Sequence, residues 1–199
     1  MLIDSLTFTL ERSGCLDAFW GRLDAGEDAT LGVAASARPF LVAARFAHAP
    51  QPTLVVVAGE DAAVAFARNV AAYVGEERVL RFPERADTPF APKPADPRQV
   101  ARRMEAAHAL QAGRARIVVA SARAMTRCLL PADAHAADPV VLRAGDELAD
   151  LGMDGVEELG DLARALEARG YVNVGELDGP GTFALRGGTL DVFPGNLAY

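Results

Sequence analysis

Residues 32–40 read GVAASARPF, and the interpretation of this stretch decides the fold. It precedes a helix-like run, PFLVAARFAH, and a strand-like run, TLVVVA, follows soon after. That is where a phosphate-binding loop of the form Gly-x-x-x-x-Gly-Lys-Ser/Thr belongs in a nucleotide-binding α/β protein. Gly32 occupies the first glycine position, Ala37 the second, Arg38 the lysine position and Pro39 the hydroxyl position. Three of the four defining groups are therefore changed, and the surrounding chain must show whether the scaffold outlived the chemistry.

Working outward, the pattern is that of a parallel sheet. Residues 53–58 form a β-branched run, expected to be a strand buried on both faces. A helix is predicted over 60–74, with Val64, Ala67, Val70 and Ala71 on one face. RVLRF at 78–82 is the next strand. The five prolines of 82–97 exclude regular structure there. Asp96 is placed to cap a helix with Pro97 at its first position, and Gly113 to end it. RIVVAS at 116–121 completes a strand–helix–strand–helix–strand alternation, which implies a parallel sheet with helices on both faces. Upstream, Leu16, Phe19, Trp20 and Leu23 have helical spacing over 14–25.

Beyond about Leu129 the pattern changes. PVVLRAGDEL is predicted as a strand and a turn. A helix is predicted over 154–169, with Val156, Leu159, Leu162 and Leu166 on one stripe and Gly170 at its end. GTFALRGGTLDVFP has the form of a hairpin turning at Gly187-Gly188, since both positions tolerate positive φ. The expected organisation is an α/β domain over residues 1–128 and a smaller α+β domain over 129–199.

Composition narrows the function. Of 199 residues 51% are hydrophobic, enough for a real core, and no apolar run approaches a membrane span. The N-terminus lacks the basic start and cleavage site of a signal peptide, so a cytoplasmic protein is expected. Cys15 and Cys128 are far apart and lack partners at ligand spacing, which argues against a disulfide or metal site; His48, His108 and His135 are scattered. Charge falls in blocks: 5 basic against 10 acidic residues over 1–77, 11 against 4 over 78–127, and 4 against 13 over 128–199. The net −7 disfavours strong DNA binding by the whole chain, and the basic middle is read mainly as solvated helix and loop faces.

The chemistry of the loop points away from catalysis. A phosphate cradle needs amides at a helix N-terminus, a lysine on the β- and γ-phosphates and a hydroxyl on magnesium. Alanine at 37 hinders close backbone approach, Pro39 lacks both N–H and hydroxyl, and the planar fork of Arg38 replaces an ammonium poorly. Asp146-Glu147 lies three residues past its candidate strand and is read as a turn and helix start. No nucleophile elbow surrounds Ser36 or Ser121. No catalytic residue, metal or cofactor is expected.

Several segments then converge. GVAASAR, TLVVVA, FPERADTPFAPKPADPRQVARRMEAAHAL, IVVASARAMTRCLLP, LRAGDEL and RGYVNVGELDGPGTFALRGGTLDVFPG, in this order, resemble the N-terminal module of the bacterial transcription-repair coupling factors (Mfd). That module is itself similar to the excision-repair protein UvrB. The resemblance covers roughly residues 14–199 and implies a degenerate P-loop NTPase-like (UvrB-like) fold without the ATPase. It further implies an N-terminal fragment of an ATP-dependent DNA translocase, with RNA polymerase and DNA engaged only by the rest of the parent. The second domain would bind UvrA. Mapped by motif, Arg186 in FALRGG is the leading contact, with Phe183 and Phe193 nearby. Where the family often carries a basic residue after Gly-Tyr, this chain has Val172 and Asn173, and Arg169 stands in as a substitute. Two other readings stay open: a structural or autoinhibitory domain of the parent motor, and a UvrB-type ATPase, against which the lost lysine and hydroxyl argue. DNA binding through the basic middle is a further, weaker option.

Overall fold

The computed structural model describes residues 8–10, 12–85, 96–127, 129 and 141–195. Lys93, Cys128, His135 and the positions on either side of Leu129, where the two domains were expected to divide, lie outside them.

The first part of the chain forms α1 (Asp17–Asp24), α2 (Arg38–His48), β1 (Thr53–Val57), α3 (Glu60–Val74), β2 (Val79–Phe82), α4 (Pro97–Gln111), β3 (Ile117–Ser121) and the short α5 (Ala122–Met125). The strands make a parallel sheet in the order β1-β3-β2, so the last strand enters between the first two. Pairing on both edges and a β-branched, apolar sequence bury every residue of β3. Its side chains alternate between two cores. Ile117 and Val119 pack with Ala43 and Phe46 of α2 and Ala63, Ala67 and Val70 of α3. Val118 and Ala120 face the other way, toward Phe82, Ala106 of α4 and Ala124. The alternating βα order is thus a mixed α/β architecture around a three-stranded parallel sheet.

Several expectations change. TLVVVA is buried on one face only: β1 lies at the sheet edge, where Val55 and Val57 join the α2/α3 core while Leu54 and Val56 are 43% and 50% exposed. Its apolar run gave no sign of edge position, which is a property of strand order. On α3 the core face is Ala63, Ala67 and Val70, with Val64 exposed. The small Ala63 lies at the contact, and the larger Val64 stands about 100° away around the helix. Among residues 141–143 there is no strand, and Val141 and Leu142 are exposed; Asp146 Oδ2 accepts from the Arg143 amide at 2.7 Å and makes the turn.

Helix ends follow their local chemistry. Asp96 Oδ1 accepts from the Arg98 amide at 2.9 Å and opens α4 behind Pro97. The helix closes through paired bonds, Arg114 N–H to Ala109 O at 3.0 Å and Gly113 N–H to Leu110 O at 3.1 Å. Gly113 sits at φ 62°, the left-handed cap that glycine adopts without strain.

The later part carries a single-turn 3₁₀ segment (Leu148–Leu151), α6 (Leu159–Ala168), β4 (Val172–Asn173), β5 (Thr182–Arg186) and β6 (Thr189–Phe193). β4 runs parallel to β5, and β5 and β6 form the antiparallel hairpin. Only Gly187 of the glycine pair takes a left-handed backbone, at φ 57°. The predicted helix starts five residues late. Val156 is buried in the approach, and the start is set by Asp161, whose Oδ2 accepts from the Glu157 and Glu158 amides at 3.1 and 3.0 Å.

Those two backbone hydrogen bonds, with Arg164 adding to them, hold the Asp161 carboxyl below its ordinary value. A carboxyl depressed on folding stabilises the native state above its unfolded pKa, and the contribution disappears as pH falls through the folded value. Asp161→Asn is therefore expected to destabilise the chain at pH 7 and to become nearly neutral in strong acid, read as urea midpoints across an acid series. An equal loss at every pH would show that the charge is not what caps α6.

Candidate functional site

Three places bear on function: the loop before α2, the C-terminal edge of the parallel sheet, and the hairpin.

The loop residues are arranged as a tight turn. Among the described residues no strand precedes the loop; residues 27–34 are irregular. A 3₁₀ turn over Ala35–Ala37 then leads directly into α2. The Ala37 amide donates to Ala34 O at 3.0 Å and the Arg38 amide to Ala35 O, so both are engaged within the turn. Pro39, buried as the second residue of α2, has no amide to offer. Arg38 is exposed. At Gly32 an added Cβ would meet nothing within 4 Å, so close approach does not require glycine there. At the last three positions, then, two amides are engaged within the turn and the third residue has none, so they offer no free backbone donor to an anion.

The C-terminal ends of parallel strands are where open α/β sheets place their ligands. Here that edge is occupied by the chain's own polar groups. Glu60, at the start of α3 after β1, pairs with Arg81 of β2 and accepts from the Glu84 amide at 3.1 Å. Glu84, just past β2, accepts from Ser121 Oγ at 2.6 Å, and Arg123 lies 3.7 Å away. Ser121, fully buried at the end of β3, in turn accepts from the Ala124 amide at 3.0 Å and caps α5. Beside them Arg103 of α4 is 3% exposed. It donates to Pro83 O at 2.7 Å, Arg127 O at 3.3 Å and Ala124 O at 3.5 Å, with its guanidinium carbon 3.8 Å from the centre of the Phe82 ring.

This network escaped the sequence reading. Its signal was a polar residue at or shortly after the end of each strand: Glu60, Glu84 and Ser121. Arg103 was grouped with the solvated basic middle, because helical spacing cannot tell an arginine that reaches water from one that crosses a core. The basic block is therefore not one surface: Arg103 is internal, Arg81 is largely enclosed, and Arg123 is exposed.

At the hairpin, Arg186 ends β5 opposite Thr189, exposed, and its guanidinium donates to Gly175 O. The Val174 amide still pairs with Phe183 O at 2.8 Å, so Arg186 meets the next carbonyl along just as the β4 ladder gives out. Phe183 is fully buried and holds the strand rather than meeting a partner. Phe193 is half-buried. Arg169 follows α6, exposed, with its guanidinium 3.9 Å from Met153 Sδ. The register pairs Val172 with Thr182, so Arg169 lies beyond the start of β5 and Arg186 at its end. Four strand residues alone separate those ends by about 13 Å. The structure does not bring the two arginines together. Val172 and Asn173 lie exposed on the short edge strand.

No family model matches the chain. The transcription-repair-coupling factor of Myxococcus xanthus is 32% identical over 171 residues, 82% of this chain and 14% of the relative. The transcription-repair-coupling factor of Bacillus subtilis (strain 168) is 24% identical over 168 residues, 84% of this chain and again 14% of the relative. The chain therefore spans about a seventh of the length of these relatives.

The sheet-edge network makes its own prediction. Arg103→Met keeps the apolar stem but removes the charged donors from three backbone carbonyls. It is expected to cost about 2–4 kcal/mol, as a lower urea midpoint at unchanged slope. Wild-type stability in the variant would mean that water satisfies those carbonyls.

Proposed function

We propose, from the homology of this chain to the transcription-repair-coupling factors, that it is the UvrB-like N-terminal module of such a factor. In this reading it is a non-catalytic docking module in transcription-coupled repair. It recruits UvrA, while contacts to RNA polymerase and DNA, and ATP-driven translocation, belong to the rest of the parent.

The observation that carries the non-catalytic half is the loop before α2. Two of its amides are engaged in a 3₁₀ turn and the third position is a proline. The occupied strand edge supports the same reading, since Glu60 and Glu84 place carboxylates where a polyphosphate would need positive charge. The docking half rests on the hairpin. One guanidinium nitrogen of Arg186 is tied to Gly175 O, which limits side-chain freedom while the exposed group still presents donors to a partner carboxylate. Pre-ordering of that kind lowers the entropy cost of binding. Long-range attraction contributes little, because the 128–199 block is strongly acidic, so affinity arises from local contacts. Arg169, at the far end of β5, acts as a separate peripheral contact.

Calorimetry of the purified chain with ATP and magnesium is expected to give no binding tighter than about 1 mM; a micromolar dissociation constant with phosphate release would restore the ATPase reading. Arg186→Ala is expected to weaken capture on immobilised UvrA by about tenfold or more, the scale of a hot-spot truncation. Retention equal to wild type would remove Arg186 from the interface.

A further inference from the structure

Away from the loop, the sheet edge and the hairpin, α1 stands out as thinly packed. α2, α3 and α4 each bury three or four side chains, whereas no residue of α1 is buried. Its apolar stripe, Phe19, Trp20 and Leu23, stays half-buried, and Leu16, just ahead of the helix, is enclosed. Between α1 and α2 lies a cavity of about 290 Å³, lined by Asp17, Trp20 and Gly21 on one side and by Ala44, Arg45 and His48 on the other. Closely packed helices interdigitate and leave few such voids.

The attachment is correspondingly narrow. Arg45 Nη2 donates to Asp24 Oδ1 at 2.5 Å, and the Arg45 guanidinium carbon lies 5.8 Å from the Trp20 ring centre. Among the described residues, every other hydrogen bond of 14–27 closes within five positions, so it travels with the helix. Arg45 Nη1 is buried without a hydrogen-bond partner, so the desolvation of that guanidinium is only partly offset. Asp24 is the more informative partner. It is the last residue of α1, where the helix dipole disfavours a carboxylate, and its side chain is 55% exposed. The charge that makes this placement favourable is Arg45, on another helix.

We propose that α1 is a latched strap, which lifts from α2 as a unit while the parallel sheet stays folded, with the Asp24–Arg45 pair as the latch and the Trp20 ring as its second hold. The chain permits the movement: α1 ends at Asp24, α2 begins at Arg38, and residues 27–34 between them are irregular. The sheet does not depend on α1. Ile117 and Val119 are covered by α2 and α3, Val118 and Ala120 by Phe82, α4 and Ala124, and no α1 residue belongs to either core. Opening uncovers Ala44, frees Arg45 from its carboxylate, and presents Phe19, Trp20 and Leu23 together on a released helix. Elements that move are drawn from the parts of a fold with few buried contacts, and α1 is such a part. The strap is independent of the hairpin and of the loop before α2.

Native-state hydrogen exchange of the full chain tests this. The Trp20 and Ala25 amides, bonded to Leu16 O at 2.8 Å and Gly21 O at 3.1 Å, report on α1, and the Val119 amide reports on the sheet. The two α1 amides are expected to be protected, yet about 100-fold or more less than Val119. Emission of Trp20, the sole tryptophan, should change at a urea midpoint about 1 M or more below that of the far-ultraviolet circular dichroism. Asp24→Ala is the discriminating variant. Alanine removes a carboxylate from the unfavourable end of the helix and raises helix propensity, so without a latch the substitution would slow exchange in α1. With the latch, exchange in α1 becomes about fivefold or more faster while Val119 changes less than about twofold. Equal protection of the α1 amides and Val119, coincident urea transitions of the two signals, or no protection in α1 at all would overturn the proposal. So would unchanged or slower α1 exchange in Asp24→Ala.

Discussion

The parallel pairing of β3 between β1 and β2 is the constraint on which the first part of the structure depends. A central parallel strand covered by helices on both faces must be apolar on both, and Ile117, Val118, Val119 and Ala120 meet that demand without an exposed residue. Burial of each larger side chain contributes about 1.5–3 kcal/mol. The alternation of those side chains then decides where each helix lies: α2 and α3 against Ile117 and Val119, α4 against Val118 and Ala120. The helices meet the sheet largely through alanines, which permits close approach and leaves little apolar surface between the layers to be filled in any other way.

The same arrangement explains the polar edge. Three parallel strands release their chains at one end, and each exit carries a polar residue that must be satisfied there. Glu60, Glu84 and Ser121 satisfy one another, with Arg81 and Arg123 compensating the charge. Arg103 closes the edge from the side, covering carbonyls that α5 and the segment after β2 leave unpaired. An edge that in related architectures stays open for a ligand is here consolidated as structure. The loop before α2 is compatible with this, its amides turned into a 3₁₀ turn.

The hairpin shows the opposite balance. Its inward residue Phe183 is fully buried, yet the strand ends in exposed Leu185 and Arg186 beyond the reach of β4. With the Arg186 guanidinium tied to Gly175 O, the end of the strand is held in place although little is packed upon it. Pairing with β6 holds the backbone there and the Gly175 bond holds the side chain, an arrangement that leaves the surface accessible.

Much of this was legible in the residues themselves, because the relevant forces act over a few positions. Asp96-Pro97 and Gly113 delimit α4, Gly187 turns the hairpin, the apolar run of 117–120 makes a buried strand, and Pro39 opens α2 with no amide to offer. What local sequence does not carry is strand order and the path of a long side chain. Only the fold put β1 at an edge with Leu54 and Val56 uncovered, turned α3 so that Ala63 rather than Val64 faces the core, and drew Arg103 inward. Only the fold set Arg169 and Arg186 at opposite ends of one strand and buried Arg45 Nη1 without a hydrogen-bond partner. Each of these depends on contacts between residues remote in the chain, and the free energy that selects them exists only once the elements have packed.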